Sequence, residues 1–333
     1  MIKAGMWIGR VDKIFITHLH GDHCYDIVGL LALRGMRKIL SPVEVVGPVG
    51  IKELIETTAR LSRLYLPFKL SVRELEPERV HELGWRSHNL HPSFASGSSS
   101  SASNDDDMES NEPFSSTTGD SVASSSLQTS PDAQEVEAEQ HWNIVAYPLD
   151  HRIDCFGYVF SEKMQQGAFD SALAISKGVN GKDIGKLAQS DSVVLADGTI
   201  VKRIDCLKHP FPGRKLVILG DTHTCNEALH EGAKHAGVFV HETTFEQSLA
   251  DLALKSKHST THMAADCAIK SKAKTLIITH FSARYMDHGG VKTVDDLLAE
   301  STQHAGGKVQ VLAAKDLWTV EVPPKKAPLV PKS

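Results

Sequence analysis

The sequence predicts an α/β fold, and three observations carry that expectation. Short runs of β-branched and aromatic residues alternate with longer stretches whose apolar positions recur at helical spacing. The residues able to do chemistry stand directly behind those runs, where an α/β scaffold places its ligand-binding loops. Between residues 93 and 140 the alternation stops and Ser, Asp and Glu take over.

Taken in order, KIFIT (13–17) reads as the first strand and CYDIVGLLALRG as the helix behind it. VEVVG (43–47) and GIKELIETTARLSR repeat the pairing. Six further strands are read at NIVAYPL (143–149), FGYVFSE (156–162), KLVILG (215–220), VFVHE (238–242), TLIITH (275–280) and VQVLAA (309–314), with helices around 262–271 and 293–304. These segments make one domain from residues 1–92 and 141–321. The stretch 93–140 cannot bury enough apolar surface to offset its ordering entropy and is read as a disordered insertion. Residues 322–333, VPPKKAPLVPKS, read as a flexible tail.

Charge is unevenly spread. The formal net charge is −5, but residues 93–140 hold ten acids and no Lys or Arg. Without that stretch the remainder stands at about +5, which permits a polyanionic substrate without demanding one. Cys24, Cys155, Cys206, Cys225 and Cys267 form no C-x-x-C pair, so the spacing suggests neither a disulfide framework nor a thiolate zinc knuckle. No apolar run reaches the roughly 18 residues of a membrane span, and the first residues lack a signal-peptide core. The expectation is a soluble intracellular protein with no membrane partner; the compartment is left open.

Behind KIFIT comes THLHGDHCYD, with His18, His20, Asp22 and His23 in an H-x-H-x-D-H run. Side chains at i and i+2 of an extended segment point the same way, so His18 and His20 can grip one ion. The turn at Gly21 redirects Asp22 and His23 toward a second. Imidazole and carboxylate donors suit zinc, and two such ions can activate a bridging water and clamp a phosphodiester. For a lone histidine a solvated loop position is the commoner reading. Four metal-capable residues within six positions at a strand end reverse those odds. His151, Asp221 and His280 each follow a later strand, where an ordinary polar residue is the bland alternative for any one of them alone.

This run resembles the signature of the metallo-β-lactamase superfamily, which implies an αββα four-layer sandwich. IFITHLHGDHCYDIVGLL, HETTFE (241–246) with KHST (257–260), THFSARY (279–285) and the Gly157–Tyr158 pair are together similar to RNase Z in its short form. The resemblance implies two zinc ions, one on His18, His20 and His151, the other on Asp22, His23 and His280, with Asp221 bridging. It implies an endoribonuclease that frees the 3′ trailer of precursor tRNA by attack of a metal-activated hydroxide, with Asp22, His258 and Glu242 as catalytic residues. His258 oriented by Glu242 can deliver a proton to the departing 3′-oxygen. The bland reading makes Ser259 or Thr260 the cap of the next helix, and both can hold.

For substrate binding, Arg284 can fork onto a phosphate beside Ser282, and Tyr285 can stack or hydrogen-bond nearby. Asp26 and Lys257 receive no role. Residues 169–201 occupy the place of the family's exosite arm, and Lys177, Lys182 and Lys186 in a Gly-rich centre suggest a flexible phosphate-binding hairpin. The usual Gly-Pro is replaced there by GVNGKDIGKL. The resemblance also implies a homodimer. The family's first strands are expected to be missing ahead of KIFIT, leaving a sheet edge uncovered. Two alternatives accompany the endonuclease: a general zinc phosphodiesterase or ester hydrolase of the same fold, and a truncated paralogue that binds RNA without catalysis.

Overall fold

The computed structural model of the chain describes residues 7–85, 142–285 and 292–322. The acidic stretch 93–140 and residues 323–333 of the tail lie outside the described residues.

The first sheet is parallel, in the order β1 (Lys13–Phe15), β2 (Val43–Pro48), β3 (Leu70–Leu75). Its crossovers carry α1 (Gly21–Cys24), α2 (Asp26–Met36) and α3 (Ile51–Leu61). The apolar stripe of α3, with Ile51, Leu54 and Ile55, packs with Ile27 and Leu31 of α2 over Val43 and Val45. Val46, the next residue along β2, faces the other way, into a cluster with Phe156, Tyr158, Ile144 and Leu75. One strand therefore serves two cores.

That second cluster is the seam between the sheets. The partner sheet begins with an antiparallel meander of β4 (His81–Trp85), β5 (Trp142–Leu149) and β6 (Cys155–Glu162). The chain then leaves the sheet for α4 (Ser171–Ser176), α5 (Lys182–Gln189) and the hairpin of β7 (Ser192–Val194) and β8 (Ile200–Lys202). It returns as β9 (Lys215–Ile218), α6 (Glu227–Gly232), β10 (Val238–Glu242), α7 (Ala250–Ser256), α8 (Thr261–Lys270), β11 (Thr275–Thr279), α9 (Val294–Ala305) and β12 (Gln310–Ala313). The seven strands lie in the order β12-β11-β10-β9-β6-β5-β4, with β9 to β12 parallel. Leu229, Ala264, Ala265, Ala268 and Leu297 of α6, α8 and α9 cover Val217, Phe239, Leu276 and Ile278 on the outer face. Helices, sheet, sheet and helices make the four layers expected.

Two departures have physical reasons. LSVREL and HELGW form β3 and β4, which the sequence reading left out. They are short, half-polar strands whose pairing partners, not their own composition, decide the outcome. The segment 169–201 is not a loose Gly-rich hairpin. Ala174, Val179, Leu187, Val193, Val201 and Cys206 give it a small core, Asp170 caps α4, and Gly178 and Gly181 supply left-handed turns between helices.

Candidate active site

The strand ends converge on one place. Parallel β9, β10 and β11 lie side by side, and their carboxyl ends deliver Asp221, Glu242 and His280. From β6 of the same sheet, Tyr158 donates its hydroxyl proton to the Ile16 carbonyl at 2.7 Å, and the Phe156 amide donates to the Thr17 carbonyl at 2.9 Å. These bonds fix the run that follows β1, so His18 and His20 face the ends of the second sheet. Gly220 has its own reason: a Cβ there would lie 2.6 Å from Cys155 Sγ and 2.7 Å from Thr17 Cβ. The loop before Asp221 passes too close for a side chain.

Nε2 of His18 lies 3.1 Å from Nδ1 of His20, which lies 3.3 Å from Nε2 of His151. His151 donates Nδ1–H to the Lys257 carbonyl at 2.8 Å, which fixes its tautomer and leaves the Nε2 lone pair facing the other two. On the other side, Asp22 Oδ2 is 3.4 Å from His23 Nε2 and 3.6 Å from His280 Nε2. Asp221 Oδ2 stands between the groups, 3.6 Å from His18 and His23, 4.0 Å from His151 and 3.4 Å from His280. These are two sets of donors joined by one carboxylate, and each could hold a metal ion.

The donor chemistry fits a cation. Burial, with His23 and His151 nearby, pushes His18 down to about 3, and burial pushes His151 down to about 4. Both rings are neutral at physiological pH and present lone pairs. Burial beside Glu242 pushes Asp221 up to about 6. The His23 Nε2 is buried and has no hydrogen-bond partner in the protein. Three imidazole nitrogens converging on one point, together with an orphaned buried nitrogen, are an arrangement that a positive ion between them would satisfy.

Beside this centre, Nδ1 of His258 meets Glu242 Oε1 at 2.9 Å. Glu242 is 1% exposed and accepts three more hydrogen bonds, from Thr222 N, Thr244 N and the Thr244 hydroxyl. Burial alone would raise its carboxyl, but His258 and Thr244 outweigh it and hold the group below the ordinary range. Burial alone would likewise lower His258, and Glu242 reverses the sign, raising it. Nδ1 of His258 is also 3.8 Å from Asp221 Oδ2, and Asp221, His258 and His280 form a third possible metal group. The nitrogen facing Asp221 is the one already committed to Glu242, which argues for an imidazole beside the metal centre rather than in it.

Supports that sequence reading passed over now have places. Thr244 hands its hydroxyl proton to Glu242 Oε2 at 2.7 Å and stands 3.0 Å from His280 Nδ1. Lys257, given no role from sequence, holds His151 through its carbonyl and Asp150 through its ammonium at 3.0 Å. It does so in the left-handed region, φ 58°, as does His280 at 56°. No sequence pattern announces a carbonyl's duty. Thr260 also caps α8, so the capping reading and the site stand together.

The substrate-facing residues separate. Arg284 is exposed, stacks its guanidinium over Phe245 at 5.2 Å and donates from Nε to Ser282 Oγ at 3.2 Å. Tyr285 is corrected: it is 3% exposed and its hydroxyl accepts the Glu246 amide, so it props the motif from below and offers no face to a base. Lys182 and Lys186 are exposed on α5, and Lys186 is paired with Asp183 at 2.8 Å. The cysteine reading is also corrected, because Cys225 and Cys267 are joined in a disulfide across 42 residues. A pair so far apart in sequence leaves no spacing signal.

Two packed sheets, flanking helices and a histidine–carboxylate cluster at the strand ends define a metallo-β-lactamase-fold protein, and the metallo-beta-lactamase superfamily model matches residues 5–106. Ribonuclease BN of Cronobacter sakazakii is 34% identical over 286 residues, 86% of this chain and 75% of that one. Ribonuclease Z of Picosynechococcus sp. is 30% identical over 328 residues, 98% of this chain and 84% of that one. The chain belongs to the ribonuclease Z/BN family of metallo-β-lactamase-fold hydrolases. The crystal structure of human tRNase Z, short form, has the same fold, with a TM-score of 0.55 at 23% identity over 97% of this chain and 83% of that one. Among the described residues no helix is long and apolar enough to cross a membrane.

Proposed function

We propose that this protein is a zinc-dependent endoribonuclease that removes the 3′ trailer from precursor tRNA. The observation that carries the reading is the His258–Glu242 pair set against the two joined donor groups. A phosphodiesterase acting on a poor leaving group needs both a cation centre and a proton donor.

His18, His20 and His151 would hold one zinc ion, Asp22, His23 and His280 the second, and Asp221 both. When bound, the pair supplies an activated water and a clamp on the phosphate oxygens. Asp22, whose side chain is 69% exposed, is the member of the set open to the reacting groups. Glu242 holds His258 by Nδ1 and stabilises its protonated form, leaving Nε2 to pass a proton to the departing 3′-oxygen. Arg284, steadied by Ser282 and Phe245, would meet a phosphate. Lys182 would contact the tRNA from the 169–201 segment, with Lys186 weakened by its Asp183 partner. A homodimer, in which that segment of one subunit serves the site of the other, belongs to the same reading.

The test is turnover on precursor tRNA beside bis-p-nitrophenyl phosphate, with elemental analysis of the same preparation. Trailer release with about two zinc ions per chain supports the proposal. Hydrolysis of the small ester alone would assign a general phosphodiesterase, and absence of both with RNA retained would assign a binding protein.

A further inference from the structure

Neighbouring residues of a strand face opposite sides, and the end of β10 uses both. Glu242 faces the proposed active site. His241, stacked on Phe239 of the outer core, faces the helices. Its ring is 1% exposed, and its Nδ1 donates to the Glu242 carbonyl at 2.6 Å. A carbonyl only accepts, so the proton is on Nδ1. Burial lowers the imidazole's proton affinity and keeps it neutral. Nε2 is therefore a bare lone pair, and it lies 3.5 Å from Cys225 Sγ.

A disulfide has no proton to give that lone pair. In the oxidised chain a buried acceptor is aimed at a sulfur that cannot satisfy it, which is the costly case for a polar group. The same tautomer, fixed by a backbone carbonyl on the far nitrogen, is what a metal-binding histidine uses. Cys225, His241 and Cys267 place their ligand atoms within 4.8 Å of one another, against the roughly 3.5–4 Å that tetrahedral zinc with thiolate and imidazole ligands requires.

We propose that Cys225, Cys267 and His241 form a second metal site, across β10 from the histidine–carboxylate centre, which is closed while the disulfide is intact and takes a soft divalent cation when the pair is reduced. An external dithiol supplies two electrons and two protons to the disulfide and leaves as its own disulfide. The incoming ion then displaces the two thiol protons to solvent and binds two thiolate sulfurs and His241 Nε2. Two thiolates cancel the charge of a dication, so a buried site carries no net charge. Three protein ligands leave the fourth position for water or a small anion.

The full chain, loaded with zinc, is divided into an oxidised portion and one reduced with dithiothreitol, and cadmium is the probe. Thiols counted after denaturation should be three in the oxidised portion and five in the reduced one. The reduced chain should retain one more equivalent of metal and gain the ultraviolet thiolate-to-cadmium charge-transfer band. Cys225→Ser and Cys267→Ser should each lose that equivalent and the band while keeping the zinc of the other centre. Equal metal in both portions despite five free thiols, a band surviving in either serine variant, or a pair that dithiothreitol cannot open in the folded chain overturns the proposal. Should a serine variant fail to fold, the oxidised and reduced forms of the natural chain decide it alone. The zinc already bound reports on the proposed active site separately.

Discussion

Nδ1 of His258 sits 2.9 Å from Oε1 of Glu242, and that nitrogen is the same one that faces Asp221. Under the proposed function the pairing would separate proton delivery from metal binding. His258→Ala should keep its full zinc content while turnover on precursor tRNA falls by about 10²–10⁴, the usual range for a lost proton donor. The loss should shrink on a p-nitrophenyl ester, whose leaving group needs no proton. Loss of zinc in this variant would place His258 in the ligand set instead.

The same pair sets a pH limit. Glu242 raises the affinity of His258 for its proton, so the acid form persists above the ordinary imidazole range and activity is lost as pH rises through the raised value. Glu242→Gln removes the raising charge. The alkaline limb of kcat/KM should move to lower pH, with a milder fall at the optimum than in His258→Ala. An unmoved limb would mean that another group titrates there.

Asp221 touches both donor groups, and His151 only one. Asp221→Ala should lose both ions and His151→Ala should weaken one, read by elemental analysis after equilibrium dialysis. Similar losses in the two variants would count against a bridging carboxylate.

Thr244 links Glu242 to His280 through one hydroxyl. Thr244→Val keeps the shape and removes the link, so it should reduce metal affinity by about 10–100-fold, the range for losing a partner of a metal-bound histidine. Restoration by Thr244→Ser, measured by chelator competition, checks that the hydroxyl is responsible.

Trp85, the last residue of β4, and Trp142, the first of β5, are register partners, so the two strands end and begin side by side. Replacing residues 96–138 with a short Gly/Ser turn should leave the melting temperature and zinc content nearly unchanged, and it should strengthen RNA binding by removing the acidic stretch. A large fall in melting temperature would show that the stretch packs on the core.

How much of this could be read beforehand follows from how each feature is encoded. His18, His20, Asp22 and His23 announce themselves because a short local pattern places four donors at one strand end. His151, Asp221 and His280 are each one polar residue behind an apolar run, legible only as members of a set. Lys257 acts through its carbonyl and Thr244 through one hydroxyl that meets both Glu242 and His280, and neither duty alters composition or periodicity. Tyr285 misled because a tyrosine in a substrate motif reads the same whether its ring faces solvent or core. The 169–201 segment misled similarly: glycines that suggest looseness here make the tight turns between two packed helices.

The donors run from His18, on the first sheet, to His280, near the far end of the second. During synthesis His18 and His20 are made before any of their partners, His151 follows behind β5, and the set closes only when β9 and β11 have been made and laid parallel. No fragment ending before His280 can assemble both groups, however well its own strands fold. Uptake of a second ion therefore reports that the chain has been made through His280: a C-terminal truncation removing β11 deletes that histidine and should leave at most the His18, His20, His151 and Asp221 group to bind zinc.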